Sequence, residues 1–161
     1  MTGFAEVDRA LDAIATETSL SRLLSASCSE LSGLLGASRV SISRTIGDLL
    51  VELSHFDRAG ADPPLELFLV TDYPLTQEVI ETGEPRTVVL GRPGADPAES
   101  ALLERLGFAS LLMLPLRSRG QNWGLVEIWG DAEAGPEEAV EWAALLVDRL
   151  GELLAVIETS A

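Results

Sequence analysis

The two side chains most often recruited for chemistry each occur once in this 161-residue sequence, as Cys28 and His55. A single cysteine excludes an internal disulfide and any multi-cysteine metal site. A single histidine argues against a zinc enzyme, since zinc sites draw on several His or Cys ligands. Cys28 stands in the middle of a predicted helix, close to Glu30, where neither a helix N-terminus nor a cation would activate its thiol. We therefore expect a structural cysteine.

His55 falls near the end of a predicted strand, beside Phe56 and Asp57. It could contact a ligand, or serve as an axial haem ligand. It could equally be a half-buried histidine that is hydrogen-bonded to a neighbour. The sequence shows no nucleophile–base pair, no pair of carboxylates fixed for acid–base work and no phosphate-binding loop. We therefore expect no enzymatic activity.

Two tryptophans form the strongest candidate for a binding surface. Trp123 and Trp129 are six residues apart on one predicted strand, so regular alternation would place both on the same sheet face with Glu127 between them. That arrangement would give a ligand an aromatic wall and a carboxylate for a donor or a cation. The alternative is that a helix covers Trp129, Trp123 lies at the rim, and Glu127 reaches Arg44 or solvent.

A second group of candidates surrounds the start of a predicted helix. Tyr73 precedes Pro74, which suits the first turn of a helix because its missing N–H would have no partner there. The tyrosine hydroxyl could bind a ligand, or its ring could be a hydrophobic lid. Phe68 and Thr76 would share this neighbourhood.

Composition limits the class of protein and of partner. Hydrophobic residues make up 47% of the chain and charged residues 23%, which is enough to fill one globular core. A net charge of −15 argues against nucleic acid and anionic membranes as partners. We find no apolar run long enough to cross a membrane and no signal-peptide pattern, so we expect a cytoplasmic protein.

The periodicity of apolar residues predicts an α+β fold. Helices are predicted at 4–16, 20–35, 74–82, 96–107 and 136–158, and strands at 39–45, 49–56, 67–71, 87–90, 109–116 and 123–129. Hairpins dominate the strand pairs, so the sheet of about six strands should be antiparallel, with helices on its faces.

The terminal helices carry more apolar residues than one packing face requires. One stripe occupies Phe4, Val7, Leu11 and Ile14, and another occupies Leu146, Leu150, Leu153 and Ile157. The last helix has a second seam at steps of seven. We predict a homodimer through these helices, the alternative being that both seams are buried within one subunit.

Several segments in order resemble a GAF domain. The segments LLMLPL at 111–116 and WGLVEI at 123–128 are similar to its last hairpin. YPL at 73–75 with ETGEP at 81–85, and GASRVSI at 36–42, match further pieces. The resemblance covers residues 18–158, so we predict one domain over 1–161, with 1–17 as a helix in the dimer interface.

The resemblance implies an antiparallel sheet with the first and last helices on one face, and shorter helices and loops over a small-molecule pocket on the other. GAF domains usually sense ligands or mediate dimerisation in signalling proteins. The expected function is therefore a non-enzymatic sensor that binds a small molecule and acts on an effector protein. The alternative is a dimerisation scaffold whose vestigial pocket is filled by its own side chains.

Known GAF subtypes can be compared with these residues. The Asn-Lys-Phe-Asp-Glu set of cyclic-nucleotide binders is absent because the chain has no lysine, and reductases of this family need several cysteines. Phytochrome-type domains share the Trp-Gly-Leu of 123–125 but follow that strand with histidine, where this chain has Trp129 and Gly130. No cysteine lies in the pocket half. The sequence thus argues against a covalent bilin, cyclic nucleotide and haem, for which only His55 is available, and we expect no cofactor.

Overall fold

A computed structural model describes residues 3–60, 67–131 and 137–160. Six antiparallel strands form one sheet in the order β3-β2-β1-β6-β5-β4. The strands are β1 (Arg39–Ile46), β2 (Leu49–Asp57), β3 (Leu67–Leu69), β4 (Arg86–Val89), β5 (Ser110–Ser118) and β6 (Gln121–Gly130). The helices are α1 (Phe4–Ala15), α2 (Leu20–Leu35), α3 (Pro74–Thr82), α4 (Pro97–Leu106) and α5 (Glu137–Ser160). The predicted α+β class and antiparallel sheet are confirmed.

Helices α2 and α5 pack against one face of the sheet, and α1 packs against both of these helices. Ser19 caps α2 by accepting a hydrogen bond from the backbone N–H of Arg22, and Gly36 ends it in the left-handed conformation with φ 64°. Val40 and Ile42 of β1 and Val126 and Ile128 of β6 point into this helix-side core. Burial of these apolar groups is the main source of stability on this face.

The structure corrects the residues predicted for the dimer interface. Val7, Ile14, Leu146 and Leu150 are at most 2% exposed, because both apolar seams face the subunit's own sheet and α2. Leu11, Leu153 and Ile157 are partly buried against the same core, whereas Phe4 is 77% exposed. Val7, Ile14, Leu146 and Leu150 therefore belong to the core of the subunit. The dimer itself stays a prediction.

Helices α3 and α4 cover part of the opposite side of the sheet, which we call the distal face. Each begins with a proline, Pro74 and Pro97, and Asp96 caps α4 by accepting a hydrogen bond from the N–H of Glu99. A second apolar core lies beneath them, formed by Leu50, Val70, Val79, Val88, Leu102, Leu103, Leu111, Met113, Leu125 and Trp129.

Two irregularities in strand pairing decide which side chains reach the distal face. The pairing of β1 with β2 shifts between Ile42 and Ser43, so Leu53 has no partner. Glu52 and His55, three residues apart, consequently lie on the same face, where a regular strand would have separated them. The pairing of β5 with β6 shifts between Leu116 and Arg117, and Trp123 has no partner there.

The second shift corrects the prediction that Trp123 shares a face with Trp129. Trp123 belongs to the helix-side core, whereas Trp129 belongs to the distal core. The extra residue in the bulge cancels the even spacing on which the prediction rested. The strand predicted at 67–71 is also shorter, because a 3-10 turn over Val70–Asp72 replaces its last residues.

The last predicted helix is present, but its predicted start at Pro136 lies outside the described residues. None of the helices in the described ranges is long and apolar enough to cross a membrane.

Candidate functional site

The distal face places a carboxylate at the centre of the sheet. Glu127 of β6 is directly opposite Ser41 of β1 and Met113 of β5. Its neighbours along β6, Leu125 and Trp129, point to the same side because alternate residues share a face. Glu127 is only 7% exposed. A charged group buried to this extent is costly unless it has a partner.

The surroundings of Glu127 make its ionisation unfavourable. Burial raises the pKa of Glu127, and the nearby carboxyl groups of Glu99 and Glu52 raise it further. The positive charge of Arg39 opposes them, and the resulting pKa is about 8. No described residue forms a hydrogen bond or an ion pair with its side chain. The group is therefore largely protonated at neutral pH.

A second buried carboxyl group belongs to Glu99 of α4. Glu99 is 0% exposed, and its Oε1 accepts a hydrogen bond of 2.5 Å from Oγ1 of Thr76 in α3. Its other oxygen, Oε2, is buried without a hydrogen-bond partner among the described residues. Burial raises the pKa of Glu99, Thr76 opposes that effect, and nearby Asp96 adds to it. Thr76, a candidate from the sequence, is thus next to the site through Glu99.

The other aromatic candidates lie on this same side. Trp129 is 4% exposed, and its ring centroid is 5.6 Å from that of Phe108. Its Nε1 is buried and has no acceptor in the described part of the chain. Tyr73 is half-buried and meets Phe68 edge to face at 5.7 Å. Burial raises the pKa of Tyr73, although Arg105 lowers it by hydrogen bonding and charge.

His55 belongs to a chain of charged groups beside Glu127. Glu52 is the central member: its Oε1 accepts a hydrogen bond of 3.0 Å from Arg39, and its Oε2 lies 3.3 Å from Nδ1 of His55. Arg39 also lies 3.8 Å from Asp57. The structure thus brings His55, Glu127, Trp129, Thr76, Tyr73 and Phe68 to the distal side and leaves Trp123 on the other.

Sequence reasoning missed several members of the site. Ser41, Ser43 and Arg39 alternate with the apolar residues of β1, so their shared face could have been read from the period-two pattern. Glu99 lies in the first turn of the helix predicted at 96–107 and was not among the candidates. Its role in the site depends on where α4 crosses the sheet, which no local pattern indicates.

Trp123 connects β6 with the end of α5 instead. Its Nε1 donates a hydrogen bond of 2.6 Å to Oε1 of Glu158, and Arg44 lies over its ring at 4.3 Å from the centroid. Arg44 is also 3.8 Å from Glu158. The strand that carries Glu127 and Trp129 on the distal face thus contacts the C-terminal helix on the other.

Comparison with known proteins identifies the family. The model of the GAF domain family matches residues 19–155, so the chain belongs to the GAF domain family. No protein of curated function matches it.

Solved structures of phytochromes share the fold. The photosensory core module of the Stigmatella aurantiaca phytochrome has a TM-score of 0.83 at 21% identity over 97% of this chain and 37% of that one. A bacteriophytochrome from R. palustris has a TM-score of 0.86 at 14% identity, and the match covers 98% of this chain and 38% of that one. The chromophore-binding domain of the Stigmatella protein has a TM-score of 0.81 at 21% sequence identity, and the match covers 94% of this chain and 59% of that one. The chain thus spans between 37% and 59% of the length of these solved chains.

These similarities correct one expectation from the sequence. The sequence argued against a bilin, yet the similar structures include chromophore-binding domains of bacteriophytochromes, so that argument no longer holds. The one cysteine of this sequence, Cys28, is buried in α2 within the helix-side core, and burial raises the pKa of its thiol to about 12. The distal face therefore receives no thiol from Cys28.

Proposed function

We propose that this GAF domain is a non-enzymatic sensory domain of the cytoplasm that binds a small molecule on the distal face and signals through a homodimer of its terminal helices to an effector protein. The observation that carries the proposal is the buried carboxyl pair, Glu127 and Glu99, beside the indole N–H of Trp129. Each buried polar group without a partner costs about 1–3 kcal/mol, and a bound ligand would supply the partners.

The polar groups favour binding over a purely structural role. Apolar residues of similar shape at these positions would give a more stable domain, because buried unpaired groups reduce stability. Glu99 Oε2 and Trp129 Nε1 supply an acceptor and a donor without partners among the described residues. The similarity to chromophore-binding domains supports a sensory role for the same fold.

The path from the binding face to the output would follow β6. Glu127 and Trp129 lie on the distal face of that strand. On the opposite face, Trp123 donates a hydrogen bond to Glu158 of α5. A ligand that prefers one arrangement of β6 would bias the position of α5 by population shift. The α5 helix would pass this bias to the partner subunit.

The surface available for the dimer is smaller than the sequence predicted. Apolar side chains exposed on the terminal helices include Phe4, Leu145 and Val156, at 77%, 50% and 62%. We expect Leu145→Glu combined with Val156→Glu to give a monomer in analytical ultracentrifugation. Leu106→Glu, an exposed leucine of α4, is the matched control and should leave the dimer intact. A monomeric wild-type protein would contradict the dimer.

A scaffold with a closed pocket is the second candidate. The apolar part of the distal core favours it, because Leu111, Met113 and Leu125 are all 0% exposed. Such packing would leave no room for a ligand over the sheet.

Native and denatured mass spectra of the purified protein test the proposal. A small molecule released on denaturation would support the sensor. The absorbance spectrum of the same sample would reveal a bound chromophore. Protein without extra mass, combined with no ligand-induced change at Trp129 in a binding screen, would favour the scaffold.

A further inference from the structure

The distal face carries more acid than base. The charged and titratable groups described around it are the acids Glu52, Asp57, Asp96, Glu99 and Glu127 against the bases Arg39, His55 and Arg105, the last of which lies beside Tyr73. Arg39 is already within 3.0 Å of Glu52 and 3.8 Å of Asp57. Arg39 only partly offsets the acids around Glu127, and Glu99 Oε2 is left without a hydrogen-bond partner in the described part of the chain.

The unpartnered atoms define what a ligand must offer. Glu99 Oε2 requires a donor, and Trp129 Nε1 requires an acceptor or a π-face. Glu127 is two positions from Trp129 on the same strand, a distance of roughly 7 Å between their Cα atoms. The surrounding side chains, Leu125 and Met113, are apolar and buried. The site therefore suits a small molecule that has an apolar part and N–H groups at one end.

We propose that the ligand of this site is a planar organic cation, of the amidine, guanidine or protonated amino-heterocycle class, held by the carboxyl groups of Glu99 and Glu127. The inference rests on the proposed function. Carboxylates bind planar N–H cations through paired, charge-assisted hydrogen bonds. An anion has no N–H donor to offer Glu99 Oε2 and would be repelled wherever the carboxyl groups are ionised. A metal ion has less support, since no three His, Cys, Asp or Glu side chains of the described residues converge.

Binding of a cation should release a proton. Glu127 faces Glu99 from α4, Glu52 from β2 and Arg39 from β1, and its pKa is about 8. A cation stabilises the ionised carboxylate, so affinity should rise about tenfold for each pH unit as the pH approaches 8 and level off above it. A neutral ligand that accepts a hydrogen bond from the protonated acid would show the opposite dependence.

Three near-isosteric probes separate these cases: benzamidine, which is a cation, benzamide, which is neutral, and benzoate, which is an anion. Protein carrying 5-fluorotryptophan reports binding by ¹⁹F NMR at Trp123, Trp129 and Trp142, assigned with Trp-to-Phe variants. We expect benzamidine to shift the Trp129 signal, with affinity about 50-fold higher at pH 8 than at pH 6. At pH 8, Glu127→Gln and Glu99→Gln should each weaken binding at least tenfold, and Glu127→Gln should remove the pH dependence. Glu104→Gln, an exposed acid of α4, is the matched control.

The outcomes separate this inference from the proposed function. Binding of benzamide or benzoate as tight as that of benzamidine would overturn the cationic class and leave the binding function standing. Binding by none of the probes would overturn the cationic class as well. The mass spectra would then decide the rest: a released small molecule keeps the sensory function, and its absence removes that function too.

Discussion

Thr76 Oγ1 donates a hydrogen bond of 2.5 Å to Oε1 of Glu99, and this bond joins the first turn of α3 to the first turn of α4. Each residue is the third of its helix, two positions after a proline. The same hydroxyl oxygen lies 3.3 Å from the sulfur of Met113 on β5. Thr76 thus satisfies one oxygen of Glu99, while the other, Oε2, is buried without a partner among the described residues.

Thr76→Val removes this donor at nearly constant volume. The buried carboxyl group of Glu99 would then lose its hydroxyl donor and keep only the backbone N–H of residue 76, so we expect a loss of about 1–3 kcal/mol in the free energy of unfolding. Urea denaturation at pH 7 measures it. Thr87→Val, an exposed position of β4, is the control and should change stability by less than about 0.5 kcal/mol. An equally small effect at both sites would show that Thr76 does not support Glu99.

Glu127 makes the stability of the domain depend on pH. Its pKa is raised from 4.5 to about 8 in the folded state, so between these values the folded state binds more protons than the unfolded state. Stability therefore falls as the pH rises from 4.5 to 8 and is level above. A tenfold change in proton affinity corresponds to about 1.4 kcal/mol, so the total reaches several kcal/mol.

Glu127→Gln should remove that dependence. We expect the variant to gain stability over wild type at pH 8.5, and to gain much less at pH 5, in urea denaturation at both values. Glu104→Gln is the control for loss of an exposed acid. A gain of the same size at both pH values would mean that the Glu127 carboxyl ionises in the folded protein as it does in the unfolded chain.

The sequence predicted the elements well because each is defined by local signals. The helices predicted at 20–35 and 96–107 are α2 and α4, which Ser19 and Asp96 cap, and Gly47 turns the chain between the strands predicted at 39–45 and 49–56. The faces of the strands were predicted less well. The bulge at Trp123 adds one residue to β6, so the Trp123 side chain lies on the helix side of the sheet and not on the distal face. The spacing of residues along the strand does not reveal such a bulge.

The site was predicted only in part for a similar reason. Glu127 and Trp129 share a strand, so their relation follows from spacing alone. Glu99 reaches them from α4, 28 residues earlier, and its contribution depends on how the helix crosses the sheet. The buried seams of α5 show the same limit: periodicity located them, but α2 and the sheet, not a partner, cover them.

Trp123→Phe tests the link between β6 and the C-terminal helix. The variant keeps an aromatic ring under Arg44 but loses the hydrogen bond to Glu158. We expect a loss of about 1–2 kcal/mol and faster amide exchange over the last turn of α5. Trp142→Phe, a half-buried tryptophan of the same helix, is the control. Unchanged exchange near Glu158 in Trp123→Phe would mean that other contacts, such as those of Arg119, hold the end of α5.

Two helical glycines should respond to alanine in opposite ways. A Cβ on Gly151 of α5 would lie 1.9 Å from the carbonyl oxygen of Arg117 on β5, whereas a Cβ on Gly33 of α2 meets nothing within 4 Å. Gly151→Ala must move the helix away from the sheet, and we expect a loss of at least about 2 kcal/mol. Gly33→Ala should gain roughly 0.5–1 kcal/mol from helix propensity. Urea denaturation compares the two. Equal effects would show that α5 does not approach β5 so closely, and would weaken the coupling of α5 to the sheet on which the proposed signalling depends.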